Sequence, residues 1–386
     1  MPRRPGLPTA IALLALALSL SACSGDETEP NSAPPTTPTP ASVPPTTAPN
    51  TSAPTPTPTL EPGPVVPTAF EDVATGFDVP WDLAFLADGS ALLSERDTAQ
   101  ILLVSPAGRV GEVGTVADVE AGGEGGLLGI TMAPDSAEML YAYFTSAEDN
   151  RVVRMPYRDG ALGDAEVIID GIPSSGRHNG GRMVFGHDGM LYIGTGDATN
   201  SDLSQDRESL GGKILRLNPD GSIPADNPFD GSPVYSYGHR NVQGLAFDDD
   251  GNLWASEFGQ STWDELNLIR AGENYGWPVV EGIGNDDRFV DPVAQWSTAE
   301  ASPSGIAFIR DTVFMAALRG ERLWQIPVRD GTASEPTAFA VGDFGRLRHA
   351  AVAPDGSLWV LTNNTSRGFP REGDDRILRV TLQLQE

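Results

Sequence analysis

Cysteine is almost absent: the 386 residues contain one, Cys23. A single thiol cannot form an internal disulfide or build a cysteine-rich zinc site. Basic residues are also scarce, 25 Lys plus Arg against 53 Asp plus Glu, for a formal charge of -28. Such a chain repels phosphate backbones, which argues against sequence-independent nucleic-acid binding. The apolar run from Ile11 to Leu20 is too short to cross a bilayer. Beyond it helical periodicity is nearly missing, which argues against parallel-sheet domains. Glycine (43) and proline (33) are abundant, and the prolines are unevenly placed.

That unevenness divides the chain. Arg3 and Arg4, the short apolar run and then Leu20-Ser21-Ala22-Cys23 have the layout of an export signal over residues 1–22. Leu-Ser-Ala-Cys resembles a bacterial lipobox, so Cys23 is expected to carry a lipid and anchor the protein to the outer face of the cell membrane. A plain secretory signal is the alternative, and it too implies export. From Ser24 to Val66 there are 13 prolines and 10 threonines in 43 residues. This stretch lacks the apolar surface to offset its ordering entropy, so residues 23–66 read as a lipidated cysteine and a disordered tether. Residues 67–386 form the folded domain, which keeps 49 acidic and 23 basic residues.

The folded part repeats itself. An apolar strand, an Asp-Gly type turn and a second apolar strand recur from Asp82, Gly129, Arg182, Gly244, Gly305 and Ala350. The turn aspartates Asp88, Asp135, Asp188, Asp250, Asp311 and Asp355 are 47, 53, 62, 61 and 44 residues apart, room for four strands per unit. Asp-Gly between period-two apolar residues is a hairpin signal, since glycine supplies the positive φ of a tight turn. Six such units predict an all-β, six-bladed β-propeller. The strand around Phe70 to Phe77 is expected to pair with the last blade and close the ring.

In a propeller the inner strands converge on a channel, so chemistry is expected in the loops away from the Asp-Gly turns. Three segments place His or Arg there: Ser174-Ser175-Gly176-Arg177-His178-Asn179, Tyr237-Gly238-His239-Arg240-Asn241 and Gly345-Arg346-Leu347-Arg348-His349.

These segments carry a resemblance. GEGGLLG at Gly123, RHNGGRMVFGHDG at Arg177, YIGTGD at Tyr192, GHRNVQGLAF at Gly238 and DELNLIRAGENYGWP at Asp264 resemble the soluble quinoprotein glucose/sorbosone dehydrogenases. Members are six-bladed propellers that oxidise aldoses with pyrroloquinoline quinone (PQQ) and calcium. The resemblance implies that His178 is the general base for the sugar C1 hydroxyl while hydride passes to the quinone C5, and that Asp197 orients it. An imidazole suits that work near neutral pH. It further implies that Arg240 stabilises charge on the quinone oxygen, and that Asn241 hydrogen-bonds the cofactor. Arg319, Arg346 and Arg348 would meet its three carboxylates, as guanidinium pairs carboxylate bidentately. Glu124 stands where the family has an active-site glutamine.

For calcium, the resemblance implies the carbonyls of Gly259 and Gln260 beside the quinone, and Glu265 with the Tyr275 carbonyl for a second ion. Gln260 departs from the family's Gly-Pro. Trp296 is the expected substrate wall. Other motifs read blandly: Asp248-Asp249-Asp250 sits in a hairpin turn, and His187 is expected to be exposed. The expected activity is oxidation of an aldose at C1 to its lactone, with electrons leaving to an acceptor that no motif specifies. Two alternatives remain at this stage, a calcium-dependent propeller lactonase or esterase and a propeller binding lipoprotein without activity.

Overall fold

The computed structural model describes residues 63–134 and 136–385, which form six antiparallel sheets arranged as a six-bladed β-propeller. Blade one shows the plan. Its strands Pro80–Phe85, Ala91–Glu95, Gln100–Val104 and Val110–Thr115 run outward from the centre in sequence order. The other inner strands are Leu127–Ala133, Met183–Phe185, Val242–Phe247, Pro303–Ile309 and Leu347–Val352, and each packs against the inner strand of the next blade. The signal region, Cys23 and most of the tether lie outside the described residues.

Local chemistry makes the turns. In blades one, three and six, the carboxylates of Asp88, Asp188 and Asp355 accept from the N–H two residues on, and Gly89, Gly189 and Gly356 take positive φ. Blade five turns without glycine: Arg310 and Asp311 both adopt positive φ, the requirement of a type I′ turn. Asp135 lies outside the described residues.

The ring closes through the first strand. Val65–Thr75 pairs antiparallel with Arg376–Leu384, so blade six combines strands from both ends of the domain. Both faces of each sheet are covered, because successive side chains point to opposite neighbours. Ala91 and Leu93 face blade six with Trp359 and Leu361, while Leu92 between them faces blade two with Leu127 and Leu140. The same alternation produces one apolar cluster at each of the six blade interfaces.

A polar plug crosses the channel. Asp82 of blade one pairs with Arg182, which leads into blade three, and its Oδ1 lies 3.1 Å from Nε2 of His349 in blade six. Asp82 also accepts from Ile130 N of blade two at 3.0 Å, and Arg182 donates to Gln243 O of blade four at 2.9 Å. Burial pushes His349 well below the usual imidazole range, with Arg182 and Arg348 adding to the effect. It is therefore neutral beside Asp82. Blade five contributes Gly305, where a Cβ would collide with the His349 ring. Gly305→Ala should lower stability by about 1–3 kcal/mol, as overpacking does. A urea midpoint equal to that of the wild type would show that the channel can widen instead.

Candidate active site

His178 precedes the inner strand of blade three and adopts a left-handed φ of 62°. Its Nδ1 is 2.7 Å from Asp197 Oδ1, and its Nε2 is 3.0 Å from Arg240 Nη2. A guanidinium only donates, so Nε2 holds the lone pair and Nδ1 the proton. That tautomer aims the basic nitrogen at the cavity. Its backbone N–H donates to Glu124 Oε2 at 3.1 Å, and Glu124 Oε1 pairs with Arg367 Nη1 at 2.9 Å. Glu124 thereby links the His178 loop to the blade-six loop.

Asp197 is buried behind the imidazole. Its Oδ2 accepts the indole N–H of Trp277 at 2.9 Å, and its Oδ1 accepts Thr199 N at 2.8 Å. Burial by itself would raise this carboxyl, but His178 and the other donors outweigh burial and hold it below the usual range. It is therefore ionised and fixed, as an orienting carboxylate must be.

Arg240 leads into blade four. Its backbone N–H donates to Glu257 Oε2 at 2.8 Å, its Nη1 to Phe258 O at 3.0 Å, and its guanidinium lies over the Trp277 ring at 5.5 Å. Burial lowers its pKa, with Asp197 and Glu281 opposing. Glu257 is held in turn by His239 Nδ1 at 2.9 Å, and His239 Nε2 lies 2.8 Å from Ser236 Oγ. This Ser-His-Glu row has the spacing of a nucleophilic triad, yet Ser236 and His239 are 0% exposed. No substrate reaches it, and its role is to hold Arg240.

The cavity these loops enclose is about 400 Å³. Arg96, Arg177, Arg240, Arg319, Arg346, Arg348 and Arg367 line it, against two carboxylates, Glu124 and Asp264. Arg96 and Arg367 are paired with Asp97 and Glu124, and the remaining positive charge on a chain of net charge -28 suits an anionic ligand. Arg348 is buried, donating to Gln243 Oε1 at 2.9 Å and Asn363 Oδ1 at 3.1 Å. Burial pushes it well below the usual arginine range, and Arg96, Arg346 and Arg182 push further. The Nε atoms of Arg240, Arg346 and Arg348 and Nδ2 of Asn241 are buried without an acceptor. Orphaned donors around a cationic cavity fit a ligand with several carboxylates.

Gly259 and Gln260 line the same cavity, following the second strand of blade four. Their carbonyls accept no hydrogen bond among the described residues. Asn241 lies beneath the cavity and accepts from Gly180 N through Oδ1 at 3.0 Å. Glu265 and Tyr275 are buried away from it. The Glu265 carboxylate takes Gly282 N at 2.6 Å and Asn267 Nδ2 at 3.1 Å, and burial together with Glu257 pushes it up to about 8. Among the described residues no three His, Cys, Asp or Glu side chains gather as a metal site.

Trp296 requires correction. The outer strand Ala294–Ser297 turns its ring into the core between blades four and five, 5.7 Å from Trp324, so it is no substrate wall. Thr298, two residues on, lines the cavity instead. Sequence reasoning assigned no role to Arg96, Arg177, Arg367, Asp264 and Trp277. Arg177 and Trp277 stood inside recognised motifs, whereas Arg367 ends the short helix Asn364–Arg367, outside the repeat.

The model of the "Glucose / Sorbosone dehydrogenase" family matches residues 77–371. Aldose sugar dehydrogenase YliI of Escherichia coli is 31% identical over 328 residues, covering 75% of this chain and 88% of that protein. Quinoprotein glucose dehydrogenase B of Acinetobacter calcoaceticus is 35% identical over 256 residues, 56% of this chain and 54% of that protein. Among solved structures, the PQQ-bound form of aldose sugar dehydrogenase from Streptomyces coelicolor is 55% identical with a TM-score of 0.80, covering 84% of this chain and all of that one. With the family model spanning well over half of the chain and the propeller reproduced, the chain belongs to the glucose/sorbosone dehydrogenase family of oxidoreductases.

Proposed function

We propose that this chain oxidises an aldose at C1 to the corresponding lactone with PQQ and calcium. The observation that carries the reading is a cavity lined by seven arginines with the His178–Asp197 pair at its edge. Arg319, Arg346 and Arg348 would hold the quinone carboxylates, and the Gly259 and Gln260 carbonyls a calcium ion beside it. Bound PQQ supplies a two-electron acceptor for the hydride that leaves C1.

The chain's own residues manage the proton and the charge. The Nε2 lone pair of His178 takes the proton of the C1 hydroxyl, which displaces the Arg240 contact as it arrives. Asp197 stabilises the imidazolium that results. Arg240, still held by Phe258 O and the Trp277 ring, faces the negative charge that develops in the cavity. A calcium-dependent lactonase would have no use for the buried arginines, and an inert binding module no use for a desolvated His-Asp pair. Cys23 and the Pro/Thr tether complete the proposal, an exported lipoprotein whose propeller works outside the membrane.

Purified protein reconstituted with PQQ and calcium should reduce a dye with aldoses, and a calcium chelator should abolish the activity until calcium is restored. If quinone fails to bind and no sugar in a broad panel is oxidised, the reading is lost. Activity that withstands complete removal of calcium would remove the ion from it.

A further inference from the structure

The chain has a single lysine among its 25 basic residues, and it is buried rather than displayed. Lys213 opens the third strand of blade three, and its side chain is 0% exposed. Burying an ammonium is costly unless every proton finds an acceptor. Here each does: Nζ donates to the carbonyls of Leu203 at 2.7 Å, Ser204 at 3.2 Å and Gly211 at 2.6 Å. Three carbonyls converging on one point match the three N–H bonds of an ammonium, whereas the flat fork of a guanidinium spreads its donors apart. In a chain that uses arginine everywhere else, this geometry gives a physical reason for lysine at this position.

What the ammonium holds matters for the site. Leu203 and Ser204 belong to the short helix Asp202–Gln205, in which only Ser204 is buried, and Leu210 beyond it packs against the core between blades two and three. The helix itself is therefore held mainly by polar contacts. Ser204 Oγ donates to His239 O at 2.6 Å and Ser204 O accepts Gly238 N at 2.9 Å, fixing the backbone just before Arg240. Gln205 Nε2 donates to Trp277 O at 2.7 Å and Asn274 Oδ1 at 3.0 Å, and Asn274 Nδ2 returns a bond to Gln205 Oε1 at 2.8 Å. Trp277 then gives its indole N–H to Asp197.

We propose that Lys213 is a positioning residue for the His178–Asp197 pair, its ammonium locking the helix Asp202–Gln205 so that Gln205 seats Trp277 and Trp277 fixes Asp197. The inference rests on the reading of His178 as the base. It adds a group that touches neither sugar nor cofactor and acts through two intermediates.

Hydrogen exchange of indole N–H groups in cofactor-free protein tests it, with Trp254 as internal control. Trp254 bonds Asp248 Oδ2 at 2.9 Å in blade four, with no part in this chain of contacts. In Lys213→Met the Trp277 indole should exchange at least about tenfold faster while Trp254 keeps its protection, the pattern of a local opening. Equal acceleration at both indoles would reduce Lys213 to general stability, and no change at either would remove it from the site; both results overturn the proposal. Should Lys213→Met not fold, Gln205→Leu breaks the same path without disturbing the buried ammonium. An unaltered Trp277 rate in Gln205→Leu overturns it equally. After reconstitution with quinone, both variants should lose kcat about tenfold with KM and quinone affinity nearly unchanged, since the anion-facing arginines of blades five and six are untouched. The exchange measurement needs neither quinone nor sugar, so it is decided separately from the oxidation assay.

Discussion

His178→Ala is expected to lower kcat by about 10²–10⁴-fold, the range a positioned general base contributes, while leaving quinone affinity within a few-fold of wild type. The expectation follows from the tautomer. Arg240 offers only donors to Nε2, and Asp197 accepts from Nδ1, so the imidazole turns its lone pair to the cavity side. Of the two lining carboxylates, Glu124 is already engaged by His178 N and Arg367 Nη1. Asp264 is engaged through both oxygens, by Gly259 N and by Ser302 N. Neither is placed to replace the imidazole. Stopped-flow reduction of the enzyme-bound quinone by sugar would isolate the step. A rate within tenfold of wild type would assign the proton to another group.

Arg348→Met should weaken quinone binding by two to three orders of magnitude, as truncating one partner of a buried charge pair costs about 2–5 kcal/mol. Arg348 is crowded by Arg96, Arg346 and Arg182, with Glu124 opposing, and its Nε is an orphaned donor. An incoming polyanion relieves this repulsion and satisfies that atom together. A mutation that removes the cation removes both gains. The rise in melting temperature on adding PQQ, which reports ligand bound to the native state, should shrink accordingly, and titration of the quinone absorbance would give the affinity directly. Undiminished affinity would place the carboxylates elsewhere in the cavity and remove Arg348 from the site.

Which side chains gather at the channel mouth was legible in the sequence where chemistry and repeat coincide. His178, Arg240, Arg346 and Arg348 stand just before or at the start of inner strands, so a six-fold pattern sufficed to bring them to the channel. Trp296 failed because it sits on an outer strand, where alternation decides which face a side chain takes, and one residue of register separates core from rim. Arg367 was missed because its short helix belongs to no repeat; it is brought to Glu124 across 243 residues only when blade six closes against blade one.

The sequence by itself determined the local and the periodic: the turns, which need only neighbouring residues; the number of blades, which is the number of turns; and the acidic composition that makes a cluster of cations conspicuous. The tertiary structure decided which charges meet. The Asp82–Arg182–His349 plug, the seven-arginine cavity and the path from Lys213 to Asp197 join residues from different blades. Their energies depend on separation and on exclusion of water, and neither is set until the ring is closed.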